Sequence, residues 1–254
     1  MGVGRVFSLE FIDFMVGCGA LLFGDFTLKS GRRSPYFINT GEYKTGAQLL
    51  RLGDFYAKLV HNSVRSAGDA GSVDEVLVGS ALSSVNESVS SRFSVLFGPA
   101  YKGIPLVTAT AARLASDGLS LCVSFNRKER KDHGEGDLIM GYRPRVGDRV
   151  AIIEDVTAAG TSVRETLALF AELGIGAEVV ALYISVDRME RGSGALSAID
   201  EFRREFGIEV FSIASVVDVI EFLECPPVGR APVPGAAVHA ANMREYLRVY
   251  GGVG

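Results

Sequence analysis

Short apolar runs alternate along this chain with stretches whose apolar residues recur at helical spacing. The runs are rich in Val and Ile and predict buried strands at 93–97, 119–125, 150–153, 177–186 and 209–214. The helical spacing predicts a first helix capped by Ser8 and further helices at 47–60, 103–116, 161–173, 195–206 and 241–249. Apolar strands separated by helices are typical of a parallel sheet covered on both faces. We therefore expect an α/β fold with a central, mostly parallel sheet flanked by helices.

Three segments interrupt this alternation. Residues 26–38 hold two short apolar runs around a Lys-Ser-Gly-Arg-Arg-Ser-Pro turn, which predicts a hairpin. With the first helix, this hairpin is expected to form a small amino-terminal hood over about residues 1–45. Residues 66–92 are rich in Ser, Gly and Val, which predicts an inserted surface excursion with a short strand at 76–78. Residues 225–238 are rich in Pro and Gly, which predicts a linker to the last helix. The 254 residues are expected to form a single domain.

Charge and composition narrow the partners of the chain. The formal net charge of −4 argues against a nucleic-acid partner, which would need a basic surface, although a few clustered cations could still bind a small anion. Neither a signal peptide nor a membrane-length apolar stretch is visible, so we expect a cytoplasmic protein without a membrane partner. The three cysteines lack metal-ligand spacing, and we expect no metal held by the protein itself. Cys18 and Cys122 lie in apolar stretches and are expected in the core.

The strongest chemical signal is the segment 150–162, Val-Ala-Ile-Ile-Glu-Asp-Val-Thr-Ala-Ala-Gly-Thr-Ser. A buried strand ends there in two adjacent acids, and a turn of small residues leads to hydroxyl residues that open a helix. The free N–H groups of a helix N-terminus bind phosphate, and small residues let the backbone approach it closely. The acids can accept hydrogen bonds from ribose hydroxyls or lie near Mg²⁺. The alternative is a strand that ends in a solvated acidic pair.

A second signal is the cationic segment 125–136, Phe-Asn-Arg-Lys-Glu-Arg-Lys-Asp-His-Gly-Glu-Gly. Cations at this density repel one another unless an anion neutralises them, and pyrophosphate is such an anion. The glycines would let the segment fold over the anion and withdraw. On composition alone a solvated charged loop is the better interpretation, because three acids balance the cations.

The order of residues in both segments resembles a known family. The first is similar to the PRPP-binding motif of the type I phosphoribosyltransferases, and the second resembles the mobile catalytic loop of the orotate phosphoribosyltransferases within that family. The resemblance implies that the chain joins orotate to PRPP, giving orotidine 5′-phosphate and pyrophosphate, in pyrimidine biosynthesis. It implies ribose contacts at Glu154 and Asp155 and a 5′-phosphate cradle made by Thr157, Ala158, Ala159, Gly160, Thr161 and Ser162.

For the cationic loop, the resemblance implies pyrophosphate contacts from Arg127, Lys128, Lys131 and His133, with Asp132 assisting proton movement. The loop of this family commonly acts in the neighbouring active site of a homodimer. Mg²⁺ is expected to arrive mainly with PRPP and its pyrophosphate.

Three further segments match the same family. The segment 28–37 resembles its amino-terminal signature, which implies Lys29 near both substrates and Phe37 with Ile38 along the orotate ring. The segment 97–105 resembles its pyrophosphate-side loop, which implies contacts from Tyr101 and Lys102. The segment 185–192 resembles the one that supplies an orotate-binding arginine, here Arg188. A guanidinium suits a planar anionic base because its donors form a rigid fork.

One residue departs from the family pattern, and three alternatives stay open. Orotate enzymes commonly carry Thr two places before the motif glycine, where this chain has Ala158. The chain could instead act on a purine base, or bind PRPP as a regulator without turnover. It could also be one part of a bifunctional chain that decarboxylates the product.

Overall fold

The computed structural model describes residues 3–28, 31–65, 80–129, 138–155 and 161–252 of the chain. The described helices are α1 Val3–Gly17, α2 Gly46–Ser63, α3 Ser80–Arg92, α4 Gly103–Ser116, α5 Thr161–Glu172, α6 Ala198–Phe206, α7 Val216–Glu224 and α8 Ala236–Tyr250. The described strands are β1 Leu21–Thr27, β2 Arg33–Ile38, β3 Val95–Gly98, β4 Cys122–Asn126, β5 Ile139–Gly141, β6 Arg149–Ile153, β7 Glu178–Asp187 and β8 Glu209–Ser215.

The central sheet has the strand order β5-β4-β3-β6-β7-β8, and its pairs are parallel except for β4 with β5. From the adjacent strands β3 and β6, the chain runs outward in opposite directions, to β4 on one side and to β7 and β8 on the other. The strand order therefore reverses between β3 and β6. In open parallel sheets, ligands bind beyond the carboxyl ends of the strands at such a reversal.

Alternate side chains of β6 enter two different hydrophobic layers. Val150 and Ile152 pack in one layer with residues of α5 and α6, whereas Ala151 and Ile153 pack in the other with residues of α1, α2, α4, α7 and α8. Successive side chains of a strand point to opposite faces, so an all-apolar strand must be covered twice. The expected α/β fold with a mostly parallel sheet flanked by helices is confirmed.

The two ends of the chain pack together beside the larger layer. The predicted hairpin is present, with β1 and β2 antiparallel and Leu21 opposite Ile38. Helix α1 contacts α7 and β8, while α8 contacts both α7 and β2. The amino-terminal hairpin is thus braced by the carboxy-terminal helix. None of the described helices is both long and apolar enough to cross a membrane.

Two predicted side-chain environments were wrong. Helix α1 begins at Val3, so Ser8 lies inside it, buried, and its Oγ donates to the carbonyl of Ile213 at 2.8 Å. The hydroxyl binds a β8 carbonyl that the sequence could not place near it, so it caps no helix. Cys122 is exposed at the first position of β4, outside the core, whereas Cys18 is half-buried and packs against the core; neither forms a disulfide.

Helix α3 occupies the second part of the segment that we expected to be a surface excursion. Its Val89 is buried, and its Asn86 bonds to His61 Nε2 at 3.1 Å and to the carbonyl of Asp117 at 2.8 Å. This helix was not predicted because its serine-rich sequence makes mostly polar contacts and shows little apolar periodicity. The strand expected at 76–78 lies outside the described residues. Helix α7 and strand β5 were not predicted, and α8 begins at Ala236, inside the expected linker.

Close packing of α2 on α4 generates a stability prediction. A Cβ at Gly53 would lie 2.6 Å from the carbonyl oxygen of Ala109, whereas one at Gly46 would meet nothing within 4 Å. Gly53→Ala should lower the free energy of unfolding by about 1–3 kcal/mol because the helices must move apart. Gly46→Ala, in the same helix, should leave it unchanged or raise it by up to about 1 kcal/mol. Urea denaturation of both variants checks this, and equal effects would contradict the close contact.

Candidate active site

The carboxyl ends of β3 and β6 place oppositely charged groups side by side. β6 is followed directly by Glu154 and Asp155, and β3 leads through a short loop to Lys102. Because parallel neighbours end at the same edge of the sheet, the two loops meet there. Lys102 Nζ lies 3.2 Å from Asp155 Oδ2. The structure thus joins three of the predicted residues at the reversal of the strand order.

Glu154 is held by its own backbone and is almost fully buried. Its N–H donates to the carbonyl of Tyr183 at 3.0 Å, and its carbonyl accepts from the Tyr56 hydroxyl at 2.6 Å. Its Oε1 accepts from the N–H of Asp155 at 3.0 Å. Burial, and then the charge of Asp155, raise the pKa of Glu154 to about 7, against a hydrogen bond with the Ser162 side chain that lowers it. The predicted Ser162 therefore lies beside the predicted acid.

Asp155 links the sheet to the amino-terminal hairpin. Its Oδ2 accepts a 2.6 Å hydrogen bond from Thr40 Oγ1, and its carbonyl accepts one from the N–H of Ser185 at 2.7 Å. Thr40 stands in the turn that follows β2. Thr40 was not predicted as a site residue; its only signal was a hydroxyl residue two positions after the hairpin strand.

The loop between β3 and α4 is packed so tightly that Gly98 has no space for a side chain. A Cβ at Gly98 would lie 2.3 Å from the carbonyl oxygen of Gly103. The Ala100–Tyr101 peptide bond is cis, and the N–H of Ala100 donates to Asn126 Oδ1 at 2.8 Å. The Tyr101 side chain is 65% exposed at the tip. A tight loop of this kind presents Tyr101 and Lys102 to solvent at the edge of the sheet.

Two further predicted cations follow β4, the other neighbour of β3. The N–H of Arg127 donates to the carbonyl of Leu138 at 2.8 Å, and its Nη1 is buried without a hydrogen-bond partner among the described residues. Lys128 Nζ lies 6.0 Å from the centroid of the Tyr101 ring. Unmet guanidinium donors are costly when buried, which favours an anionic ligand at this end of β4.

Arg188 lies immediately after β7 and contacts the hairpin. It is buried, its guanidinium carbon stands 4.4 Å from the centroid of the Tyr36 ring, and its Nη2 approaches Ser34 Oγ at 3.4 Å. Ile38 shares that face of β2 by strand alternation. The Phe37 side chain points to the opposite face, where it stacks on Phe26 with centroids 5.6 Å apart. The side chain of Phe37 is therefore not brought toward Arg188.

Thr161, one of the predicted phosphate-cradle residues, is exposed at the first position of α5. The predicted site residues outside the described ranges are Lys29, Lys131, Asp132, His133, Thr157, Ala158, Ala159 and Gly160. Among the residues that are described, no group of three or more His, Cys, Asp or Glu side chains could hold a metal ion.

Comparison with known proteins identifies relatives over most of the chain. Residues 73–203 match the model of the phosphoribosyl transferase domain family. An orotate phosphoribosyltransferase of Lachnoclostridium phytofermentans is 46% identical over 87% of this chain and 87% of its own length. One of Clostridium acetobutylicum is 44% identical over 96% of this chain and 98% of its own.

Solved structures agree with these relatives. An orotate phosphoribosyltransferase of Francisella tularensis has a TM-score of 0.71 and 31% identity, over 96% of this chain and 100% of that one. The UMP synthase of Leishmania donovani has a TM-score of 0.65 at 20% identity and shares the fold; the match spans 96% of this chain but 42% of that longer one.

The raised pKa of Glu154 generates a pH prediction. The folded protein keeps a proton on Glu154 up to about pH 7, whereas the ordinary pKa is 4.5. Stability from this proton is complete below the ordinary value and is lost as the pH rises to about 7. Glu154→Gln removes the ionisation, so from pH 5 to pH 8 the variant should gain on the order of 2 kcal/mol relative to the natural chain. Urea denaturation at both pH values measures this, and a constant difference would contradict it.

Proposed function

This chain belongs to the phosphoribosyltransferase family and, within it, to the orotate phosphoribosyltransferases, and we infer from that membership how its site works. The chain is a transferase that moves the phosphoribosyl group of PRPP to orotate, giving orotidine 5′-phosphate and pyrophosphate, a reaction of pyrimidine biosynthesis. Its relatives are orotate enzymes, which disfavours both a purine base and a regulator without turnover. The roles of individual residues below are our proposal.

The single observation that carries the assignment of the site is the meeting of Lys102 with Asp155 and Glu154 at the reversal of the strand order. In our proposal the two acids accept hydrogen bonds from the ribose hydroxyls. The segment 157–162 then holds the 5′-phosphate, supported by the N-terminus of α5. PRPP must separate Lys102 from Asp155, so that the ammonium group becomes available to the pyrophosphate.

The pyrophosphate side is proposed to comprise the cations that follow β3 and β4. Lys102 and Tyr101 come from the first loop, and Arg127 and Lys128 begin the second. The buried Nη1 of Arg127 supports this assignment, because it has donors to offer to an anion. By family resemblance Lys131 and His133 join them, and Asp132 assists proton movement.

The orotate side is proposed to comprise Lys29, Arg188 and the backbone of Phe37 and Ile38. The guanidinium of Arg188 offers donors to the carboxylate and carbonyl oxygens of the base. Two features support this placement: Arg188 is buried against Tyr36 of β2, and Phe37 and Ile38 are the last two residues of that strand. With Ala158 in place of the common Thr, recognition of the base relies more on these groups.

Mg²⁺ fits the oxygen ligands that the chain offers. Mg²⁺ is usually bound by one or two carboxylates together with substrate phosphates, so a dedicated cluster of protein ligands is not needed. Asp155 and Glu154 would supply the carboxylates. When bound with PRPP, the ion neutralises part of the charge of the leaving pyrophosphate.

The chemistry requires positioning and charge stabilisation. The bond from the anomeric carbon to the pyrophosphate oxygen breaks, and its electron pair leaves with pyrophosphate. The bond from that carbon to the ring nitrogen of orotate forms, and the proton on this nitrogen is lost, with Asp132 proposed to assist its transfer. As the bond breaks, positive charge develops on the ribose ring. Lys102, Arg127, Lys128 and Lys131 stabilise the leaving anion, and closure of the cationic loop excludes water that would hydrolyse PRPP.

We propose a single catalytic domain for the 254 residues, with a hood formed by about residues 1–45, an insertion at 66–92 and a carboxy-terminal segment at 225–254. We also propose that the protein acts in the cytoplasm as a homodimer that exchanges its catalytic loops. The resemblance of the segment 125–136 to the catalytic loop of this family, which commonly acts in the neighbouring active site, supports such sharing.

The first test of this proposal is Lys131→Ala. Loss of one cation facing the leaving group should lower kcat by about 100-fold or more, with a much smaller change in PRPP affinity. Pyrophosphate release from orotate and PRPP measures turnover, and Lys58→Ala on α2 is the matched control. Unchanged turnover would remove Lys131 from the reaction, and absence of pyrophosphate release by the natural chain would contradict the activity itself.

Mixing two inactive variants tests loop sharing. Lys131→Ala disables the loop and Asp155→Asn disables the PRPP acids. If the loop acts in the partner's site, random exchange makes half of the dimers mixed, each with one intact site. Activity should then return to about a quarter of that of the natural enzyme. Mixtures that stay inactive despite subunit exchange would show that each loop serves its own site.

A further inference from the structure

We propose that Glu190 is a positioning residue that aims Arg188 at the carboxylate of orotate, and that Tyr246 of the carboxy-terminal helix holds Glu190 in place. The inference rests on the proposed contact between Arg188 and orotate. It adds to that function a residue pair that does not touch the substrate. It also assigns α8 to the base-binding half of the site.

The contact between Arg188 and Glu190 is buried on both sides. Arg188 Nε donates to Glu190 Oε1 at 2.7 Å, and Nη2 lies 2.6 Å from the same oxygen. Their side chains are 7% and 5% exposed. A buried ion pair is weak evidence for stability, because desolvation offsets the attraction. A buried pair beside a substrate site is better explained by the geometry that it imposes.

Glu190 is itself fixed through both of its carboxylate oxygens. Tyr246 of α8 donates its hydroxyl to Oε1 at 2.8 Å, and Arg32 Nη1 lies 3.3 Å from Oε2. The Tyr36 ring covers one face of the Arg188 guanidinium. The guanidinium is thus oriented along one edge by Glu190 and across its plane by Tyr36, which leaves few ways for it to rotate.

This arrangement leaves part of the guanidinium available. Glu190 accepts a hydrogen bond from Nε of Arg188 and lies within ion-pair distance of Nη2. Nη2 also approaches Ser34 Oγ at 3.4 Å. The contacts of Arg188 with Glu190 and Ser34 use Nε and Nη2 and do not involve Nη1. Because a guanidinium presents its donors in a fixed fork, fixing one edge determines where Nη1 points. A carboxylate from orotate would complete the set.

The end of the chain supports the same loop. The residue after Arg188, Met189, has a φ of 52°, a left-handed conformation that is uncommon for a side-chain-bearing residue. Its carbonyl accepts from the N–H of Gly252 at 3.0 Å, and Glu190 forms an antiparallel bridge with Gly251. A Cβ at Gly252 would lie 2.3 Å from the N of Ser197. Residues that follow α8 are therefore packed against the backbone that carries Arg188 and Glu190.

The test uses substitutions that keep the charges and change the geometry. Glu190→Asp keeps the carboxylate but shortens its reach, and Tyr246→Phe removes only the hydroxyl. Tyr250→Phe is the matched control, since the hydroxyl of Tyr250, on the same helix, bonds to no described residue. Steady-state kinetics of the full-length variants with orotate and PRPP give KM for each substrate and kcat.

We expect Glu190→Asp to raise KM for orotate by about 10-fold and Tyr246→Phe by about 3-fold, with KM for PRPP within about twofold of the natural value. Tyr250→Phe should leave all three constants within about twofold. Three results would overturn the inference: an unchanged KM for orotate in both test variants, a parallel rise of both KM values, or the same rise in Tyr250→Phe.

Arg188→Ala separates this inference from the function on which it rests. If Arg188→Ala raises KM for orotate and the Glu190 and Tyr246 variants do not, only the positioning role fails. If Arg188→Ala leaves KM for orotate unchanged, the proposed orotate contact fails and the positioning role fails with it. In the Arg188→Ala background, Glu190→Asp should cause no further rise, because nothing remains to be positioned. A further rise would show that Glu190 acts by another route.

Discussion

The carboxyl ends of β3 and β6 meet where the strand order of the sheet reverses, and the rest of the site depends on that junction. It places a buried acid, Glu154, next to a partly accessible one, Asp155, and brings Lys102 within an ion-pair distance of the second. Apolar cores on both faces of the sheet hold the two strand ends in position. A charged substrate therefore meets groups whose geometry is set by packing before it arrives, which is what electrostatic catalysis requires.

In the proposed site, different parts of the molecule bind the two substrates. The proposal places the sugar phosphate at the ends of β3, β4 and β6, all of which belong to the central sheet. It places orotate beside β2 and the Arg188 loop, and α8 and residues 251–252 pack against that loop. Thr40 bridges the two halves through its hydrogen bond to Asp155. This hydrogen bond links the hairpin directly to Asp155, one of the two acids at the end of β6.

Local sequence patterns were sufficient to predict much of the fold and part of the candidate site. The strand, the acids and the helix start within 150–162 are contiguous, so their chemistry could be interpreted without knowing the fold. The predicted strands and the hairpin were found because alternation and apolar runs are local properties. Contacts between distant segments could not be predicted in this way: Thr40 and Asp155 are 115 positions apart, and Glu190 and Tyr246 are 56 apart. Helix α3 was missed for a different reason, since polar contacts such as that of Asn86 leave no apolar stripe.

The most direct test of this arrangement is a crystal structure of the chain with orotate and an unreactive analogue of PRPP bound. We expect ribose hydroxyls within about 3 Å of Glu154 and Asp155, and Lys102 moved from Asp155 to the pyrophosphate. We also expect the orotate carboxylate on Arg188 Nη1, with Glu190 still bound to Nε. A phosphoribosyl group bound away from the β6 acids, or a base that leaves Arg188 untouched, would contradict it.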